Sequence, residues 1–195
     1  VKQGIDTVIA GRPNVGKSTL MNLLSGTEKS IVTDIPGTTR DVVEDTVLVG
    51  DVILRLSDTA GLRDTDDAVE KIGVDRAFES IENAELVLAL TDGSQPLCDG
   101  ERKLFEYIGK LEGKNIIIVV NKNDISGISE QKREFLDNVC SNIKRVSISA
   151  KLGDGKDALA GVISELYPAG DELLMSGLVI TGARVYAAVK NAHKS

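Results

Sequence analysis

Apolar runs and amphipathic stretches alternate along this chain in the rhythm of a sheet wrapped by helices. Ile5 to Ala10 reads as a short strand that ends at Gly11, and Lys17 to Leu24 begins a helix that Gly26 stops. Val42 to Val49 alternates apolar and polar positions, Gly50-Asp51 makes a tight turn, and Val52 to Ser57 runs back as the second arm of a hairpin. Glu70 to Asn83 has helical spacing. Leu86 to Leu90 and Ile116 to Val120 are almost wholly apolar, as strands covered on both faces of a parallel sheet must be. Asp99 to Leu111 and Ser129 to Val139 read as helices, Arg145 to Ile148 as a last strand and Asp157 to Leu166 as a last helix.

Strands alternating with helices predict an α/β fold: a doubly wound, mostly parallel six-stranded sheet in which the hairpin supplies one antiparallel edge strand. Pro168-Ala169-Gly170 looks like a boundary, so residues 1–168 form one domain. Residues 169–195 are expected to be a helical tail, with a helix from Ala183 to Lys194, and a remnant of a neighbouring domain. A start at Val1 also reads as a piece of a longer chain.

Composition changes this picture only at its edges. Aromatics are 3% and Trp is absent, so the core must be aliphatic. A net charge of −7 gives no overall attraction for a polyanion. Cys98 and Cys140, far apart and outside any C-x-x-C, read as reduced packing residues of a cytoplasmic protein. No apolar run approaches the ~20 residues needed to span a bilayer, so no membrane role is expected. His193 and the switch-flanking Arg40 and Arg63 read as surface groups.

The chemistry sits in four motifs. Gly11-Arg12-Pro13-Asn14-Val15-Gly16-Lys17-Ser18 matches G-x-x-x-x-G-K-[ST] and stands between a strand and a helix, the context the motif requires. Its glycines let backbone N–H groups line a phosphate-sized hollow, and the helix N-terminus adds partial positive charge. The candidate phosphate contacts are Asn14, Val15, Gly16, Lys17, Ser18 and Thr19. Lys17 would bridge β- and γ-phosphates, and the Ser18 hydroxyl would ligate Mg²⁺. Asp58-Thr59-Ala60-Gly61 closes the strand after the hairpin. There Asp58 would hold the metal and the Gly61 N–H would sense the γ-phosphate.

Asn121-Lys122-Asn123-Asp124 follows the strand Ile116 to Val120 and selects the base. The Asp124 carboxylate would accept two hydrogen bonds from a guanine edge, a donor pair that adenine lacks. The stem of Lys122 would lie against the ring, and Asn121 would tie this loop to the phosphate loop. Ser149-Ala150-Lys151 would add the Ala150 N–H to the guanine carbonyl, with Lys151 over the other face.

Between the first helix and the hairpin lies a polar loop, Thr33-Asp34-Ile35-Pro36-Gly37-Thr38-Thr39-Arg40-Asp41. A threonine there, taken as Thr39, reaches the metal only while a γ-phosphate is present, which makes the loop a switch. The residue after Asp58-Thr59-Ala60-Gly61 is Leu62, whose side chain cannot orient water. Asp64, Asp66, Asp67 and Glu70 downstream are the alternatives, and spacing alone does not choose among them. These residues point to GTP binding and hydrolysis to GDP and phosphate.

Taken together the motifs resemble the TrmE/Era-type P-loop GTPases, Ras-like in fold. In detail they resemble the G domain of the MnmE (TrmE) family of tRNA-modification GTPases. The matching stretches run from Gly11 to Asn22, from Ile31 to Asp41, from Asp58 to Arg63 and through Val69-Glu70-Lys71-Ile72-Gly73, within residues 5–167. The resemblance implies that Asn14 ligates K⁺ with backbone oxygens of Thr33, Ile35 and Thr38, where an arginine finger would otherwise place charge. It implies Glu70 as the residue that orients water, through a second water. It also implies a homodimer paired across the switches. The family's wobble-uridine chemistry, flavoprotein partner and tRNA would be reached only through the full-length protein. An Era/Der-like ribosome-assembly GTPase is the alternative within the same fold.

Overall fold

The computed structural model describes residues 4–26, 45–56 and 78–168. Expectations for Thr33 to Asp41, Asp58 to Gly61, Leu62, Glu70 and the tail 169–195 lie outside the described residues. Six strands appear: β1 (Ile5–Ala10), β2 (Asp45–Val49), β3 (Val52–Leu56), β4 (Leu86–Asp92), β5 (Asn115–Asn121) and β6 (Lys144–Ser147). Four full helices accompany them: α1 (Lys17–Ser25), α2 (Asp99–Ile108), α3 (Glu130–Val139) and α4 (Lys156–Leu166). Residues 78–83 are also helical. The sheet order is β2-β3-β1-β4-β5-β6. All neighbours pair in parallel except β2 with β3, whose register Val49↔Val52 puts the turn at Gly50-Asp51.

The absence of alternation in β4 and β5 has a direct cause. Their successive side chains go to two different cores, one on each face of the sheet. Leu86, Leu88, Leu90, Ile117 and Val119 pack with Leu20 and Leu24 of α1 and Leu159 and Ile163 of α4. Val87, Ala89, Ile116, Ile118 and Val120 pack with Ile81, Phe105 and Ile108 of the opposite layer and Leu136 of α3. Cores on both faces leave the C-terminal edge of the sheet to its loops. The loops after β1, β4, β5 and β6 gather there, at the edge where open α/β sheets bind ligands.

Cys140 caps α3 inside the second core, where its Sγ–H donates to the Phe105 carbonyl at 3.5 Å. Burial pushes its thiol up to about 11, against the opposing pull of Arg145. At pH 8 the folded protein should therefore hold about a hundredfold less Cys140 thiolate than an ordinary thiol would. Iodoacetamide is expected to label half-buried Cys98 but to spare Cys140 until denaturant is added. Equal labelling of both in the folded protein, read by peptide mass, would contradict the packing. Among the described residues no helix is long and apolar enough to cross a membrane.

Candidate functional site

The hollow after β1 is shaped by two glycines. A Cβ at Gly11 would stand 2.6 Å from the Leu90 carbonyl oxygen, so the loop can leave β1 only without a side chain there. Gly16 has φ of +101° and sits directly before α1, where a Cβ would stand 2.3 Å from Asn121 Nδ2. Lys17, the first residue of α1, folds back over the loop. Its Nζ donates to the Gly11 carbonyl at 3.0 Å and the Arg12 carbonyl at 2.8 Å. The ammonium therefore lies across the hollow, where phosphate oxygens would compete for it. Ser18 and Thr19 follow, exposed, on the first turn of the helix.

Asn121 joins three of the motifs. Buried at the end of β5, it donates through Nδ2 to the Val15 carbonyl at 2.8 Å and accepts at Oδ1 from the Ala150 N–H at 2.9 Å. The Asn123 N–H also donates to the Ile148 carbonyl at 3.1 Å, which binds the base loop to the segment after β6. Lys122 Nζ reaches the other way, donating to the Asn14 carbonyl at 3.0 Å and pairing with Asp92 Oδ2 at 2.7 Å. Asn14 and Lys122, with φ of 61° and 66°, are the only non-glycine residues at positive φ among the described residues. Such conformations cost about 1 kcal/mol or more each and persist where surrounding contacts over-determine them. Here each strained residue supplies one end of the same hydrogen bond.

Of the residues read from the sequence, Asn14 to Thr19, Asn121, Lys122, Asp124, Ser149, Ala150 and Lys151 meet at this edge. Ser149 and Ala150 are buried, while Asp124 and Lys151 are exposed. The sequence reading missed Asp92. It is 4% exposed and accepts at Oδ1 from Ser94 N–H at 2.9 Å and Ser94 Oγ at 2.6 Å. Burial raises its carboxyl, but the hydrogen bonds from Lys122 and Ser94 and the Lys122 charge outweigh it and hold it below the ordinary carboxylate value. A polar Thr91-Asp92 pair closing an apolar strand at the ligand edge was the available signal.

Because the folded carboxyl is depressed, its contribution is present above the unfolded value, near pH 4, and is lost as pH falls through the folded one. Asp92→Asn is expected to destabilise the chain by about 1–3 kcal/mol at pH 7 and by less at a pH well below the ordinary carboxylate value. Urea unfolding at the two pH values measures this, and an equal loss at both would contradict the pairing.

Residues 6–122 match the family model of the 50S ribosome-binding GTPases. The tRNA modification GTPase MnmE of Clostridioides difficile is 40% identical over 100% of this chain. That of Natranaerobius thermophilus is 43% identical over 94%, and that of Bacillus licheniformis 47% over 87%. The chain spans 41%, 39% and 36% of those proteins. Among solved structures, Era in complex with MgGDPNP and a 16S ribosomal RNA segment superposes with a TM-score of 0.61 at 28% identity. That match covers 88% of this chain and 59% of Era. The G domain of the Thermotoga maritima FeoB iron transporter gives 0.56 at 26%, covering 83% of this chain and 97% of that domain.

Proposed function

This chain belongs to the 50S ribosome-binding GTPase family, and from that premise we propose that it is the nucleotide switch of a larger tRNA-modifying protein. It is a GTPase, and its sequence is similar from end to end to part of the MnmE proteins. The observation that carries the assignment is the bridging of Asn121. One buried amide ties the phosphate loop at Val15 to the segment at Ala150, and Lys122 next to it grips Asn14. A single nucleotide lying along this edge would touch the phosphate hollow at one end and Asp124 at the other.

In this reading Lys17 binds the β- and γ-phosphates, and Thr39 and Glu70 serve the reaction from the switch loops. Thr33 to Thr39 and Asp58 to Gly61 would add their contacts to the nucleotide. Mg²⁺ suits Ser18, an exposed hydroxyl beside the hollow, completed by Thr39 and Asp58. Among the described residues no group of three or more Asp, Glu, Cys or His gathers to hold an ion, so phosphate oxygens would supply much of its shell. When bound, the ion would neutralise charge on the phosphates. Asn14 is exposed on the loop, and its carbonyl is already taken by Lys122. Its side chain is therefore the part left for K⁺, beside Thr33, Ile35 and Thr38.

The test compares GTP turnover in KCl and NaCl, alongside molecular mass with a transition-state mimic. Faster turnover and dimerisation in KCl support the reading. Equal turnover in both salts removes the K⁺ role, and negligible turnover in both removes the catalytic one. Glu70→Ala is expected to slow single-turnover hydrolysis roughly a hundredfold, the low end for proton-transfer and water-orienting groups because it acts through a second water. Nucleotide affinity should stay nearly constant, and a large loss of binding would make Glu70 structural instead. The similarity to MnmE supports tRNA modification as the wider role, with a flavoprotein partner and tRNA engaged through the rest of the protein. Similarity to Era supports ribosome assembly as the second reading.

A further inference from the structure

Behind the two ligand loops lies a buried set of charges that the proposed reaction does not use. Glu101 of α2 and Lys132 of α3 both have fully buried side chains, and their charged ends meet at 3.2 Å. Thr91 Oγ1 donates to Glu101 Oε1 at 2.7 Å and accepts from Lys132 Nζ at 3.1 Å. Lys132 Nζ also donates to the Asp92 carbonyl at 2.8 Å. From this centre two arms reach the phosphate loop. On one side Arg12 Nε stands 3.5 Å from Glu101 Oε1. On the other, the Asp92 carboxylate holds Lys122, which holds the Asn14 carbonyl. The contacts close into a ring that starts and ends on the phosphate loop and passes through the base loop.

Stability is a poor explanation for it. Burying a Lys–Glu pair costs desolvation that the attraction barely repays, and apolar replacements of similar shape often leave stability unchanged or raise it. Among the described residues, two buried atoms of the ring, Arg12 Nε and Glu101 Oε2, have no hydrogen-bond partner and meet their neighbours as ion pairs. The ring therefore constrains position more than it adds binding energy. We propose that Glu101 and Lys132 are positioning residues for the nucleotide. Through the ring they fix the phosphate loop against the base loop, so guanine-nucleotide residence time depends on two side chains too deeply buried to touch it. This rests on the GTPase reading above.

The test replaces the buried centre with apolar groups of similar shape, Thr91→Val/Glu101→Leu/Lys132→Met. The Asp92 carbonyl keeps a longer bond from the Gln95 N–H, 3.4 Å, in the variant's starting geometry. Thermal melting without nucleotide should match wild type, while a fluorescent GDP analogue should leave about tenfold faster, the loss of roughly one hydrogen bond to a charged group. A merely structural role would move the melt and not the release rate. Arg12→Gln, on the phosphate loop, opens the ring at its other joint while leaving the Thr91–Glu101–Lys132 contacts in place, and should also speed release. It keeps the test decisive if the triple variant does not fold. Wild-type release rates in a folded triple variant, or in Arg12→Gln, would overturn the ring alone. A wild-type chain that retains no guanine nucleotide would overturn the GTPase reading together with it.

Discussion

Asp124→Asn is expected to lower GTP affinity by about three to four orders of magnitude and to make xanthosine triphosphate the better ligand. The carboxylate is exposed at the ligand edge. Its loop is not free to adapt, because Asn121 is buried and bonded on both sides and Lys122 is pinned at strained φ between Asp92 and Asn14. A fixed acceptor pair suits the two adjacent donors of guanine. An amide offers one acceptor and one donor, so it loses one bond and sets a donor against a donor. Xanthine carries a carbonyl where guanine carries its amino group, and the exchanged amide matches that edge. Competition between GTP and xanthosine triphosphate for a fluorescent probe measures the change. Unchanged GTP affinity, or no gain for the xanthine nucleotide, would show that another group selects the base.

The sheet was legible because its physics is local. β4 and β5 are apolar without alternation, and only a strand covered on both faces reads that way. The structure extends each by two polar residues, Thr91-Asp92 and Asn115 with Asn121, which the apolar rule alone leaves out. The phosphate loop was legible for a different reason. Gly11 and Gly16 mark positions where a Cβ has no room, and Lys17 and Ser18 follow at fixed spacing.

The ring behind the loops was not legible. Glu101 lies in Asp99-Gly100-Glu101-Arg102-Lys103 and Lys132 in Glu130-Gln131-Lys132-Arg133-Glu134. Both segments look like solvated helix faces. Only the packing of α2 and α3 over one face of the sheet turns those two residues inward, and their charges pair across 31 positions of sequence. Asp92 was hidden in the same way, since a strand-end aspartate means little until Lys122 arrives beside it from the next strand.

Asn121→Ala should weaken GDP binding by about a hundredfold and cost the fold about 2–4 kcal/mol, because two buried polar groups lose their partner at once. The Val15 carbonyl and the Ala150 N–H would both be left inside the protein unsatisfied. Asn121→Asp separates the two bonds. It keeps an acceptor for the Ala150 N–H but turns a lone pair and a charge toward the Val15 carbonyl. We expect it to be as damaging to nucleotide binding as alanine, since Val15 belongs to the phosphate loop itself. Near-wild-type binding by the aspartate variant would move the coupling to the Ala150 side. Gly16→Ala attacks the same joint from the opposite direction: its Cβ would stand 2.3 Å from Asn121 Nδ2 at a φ that side chains rarely adopt. If one amide governs how the two loops meet, combining Gly16→Ala with Asn121→Ala should cost less than the sum of the separate losses. Strict additivity in nucleotide affinity would mean that the loops are held in place independently.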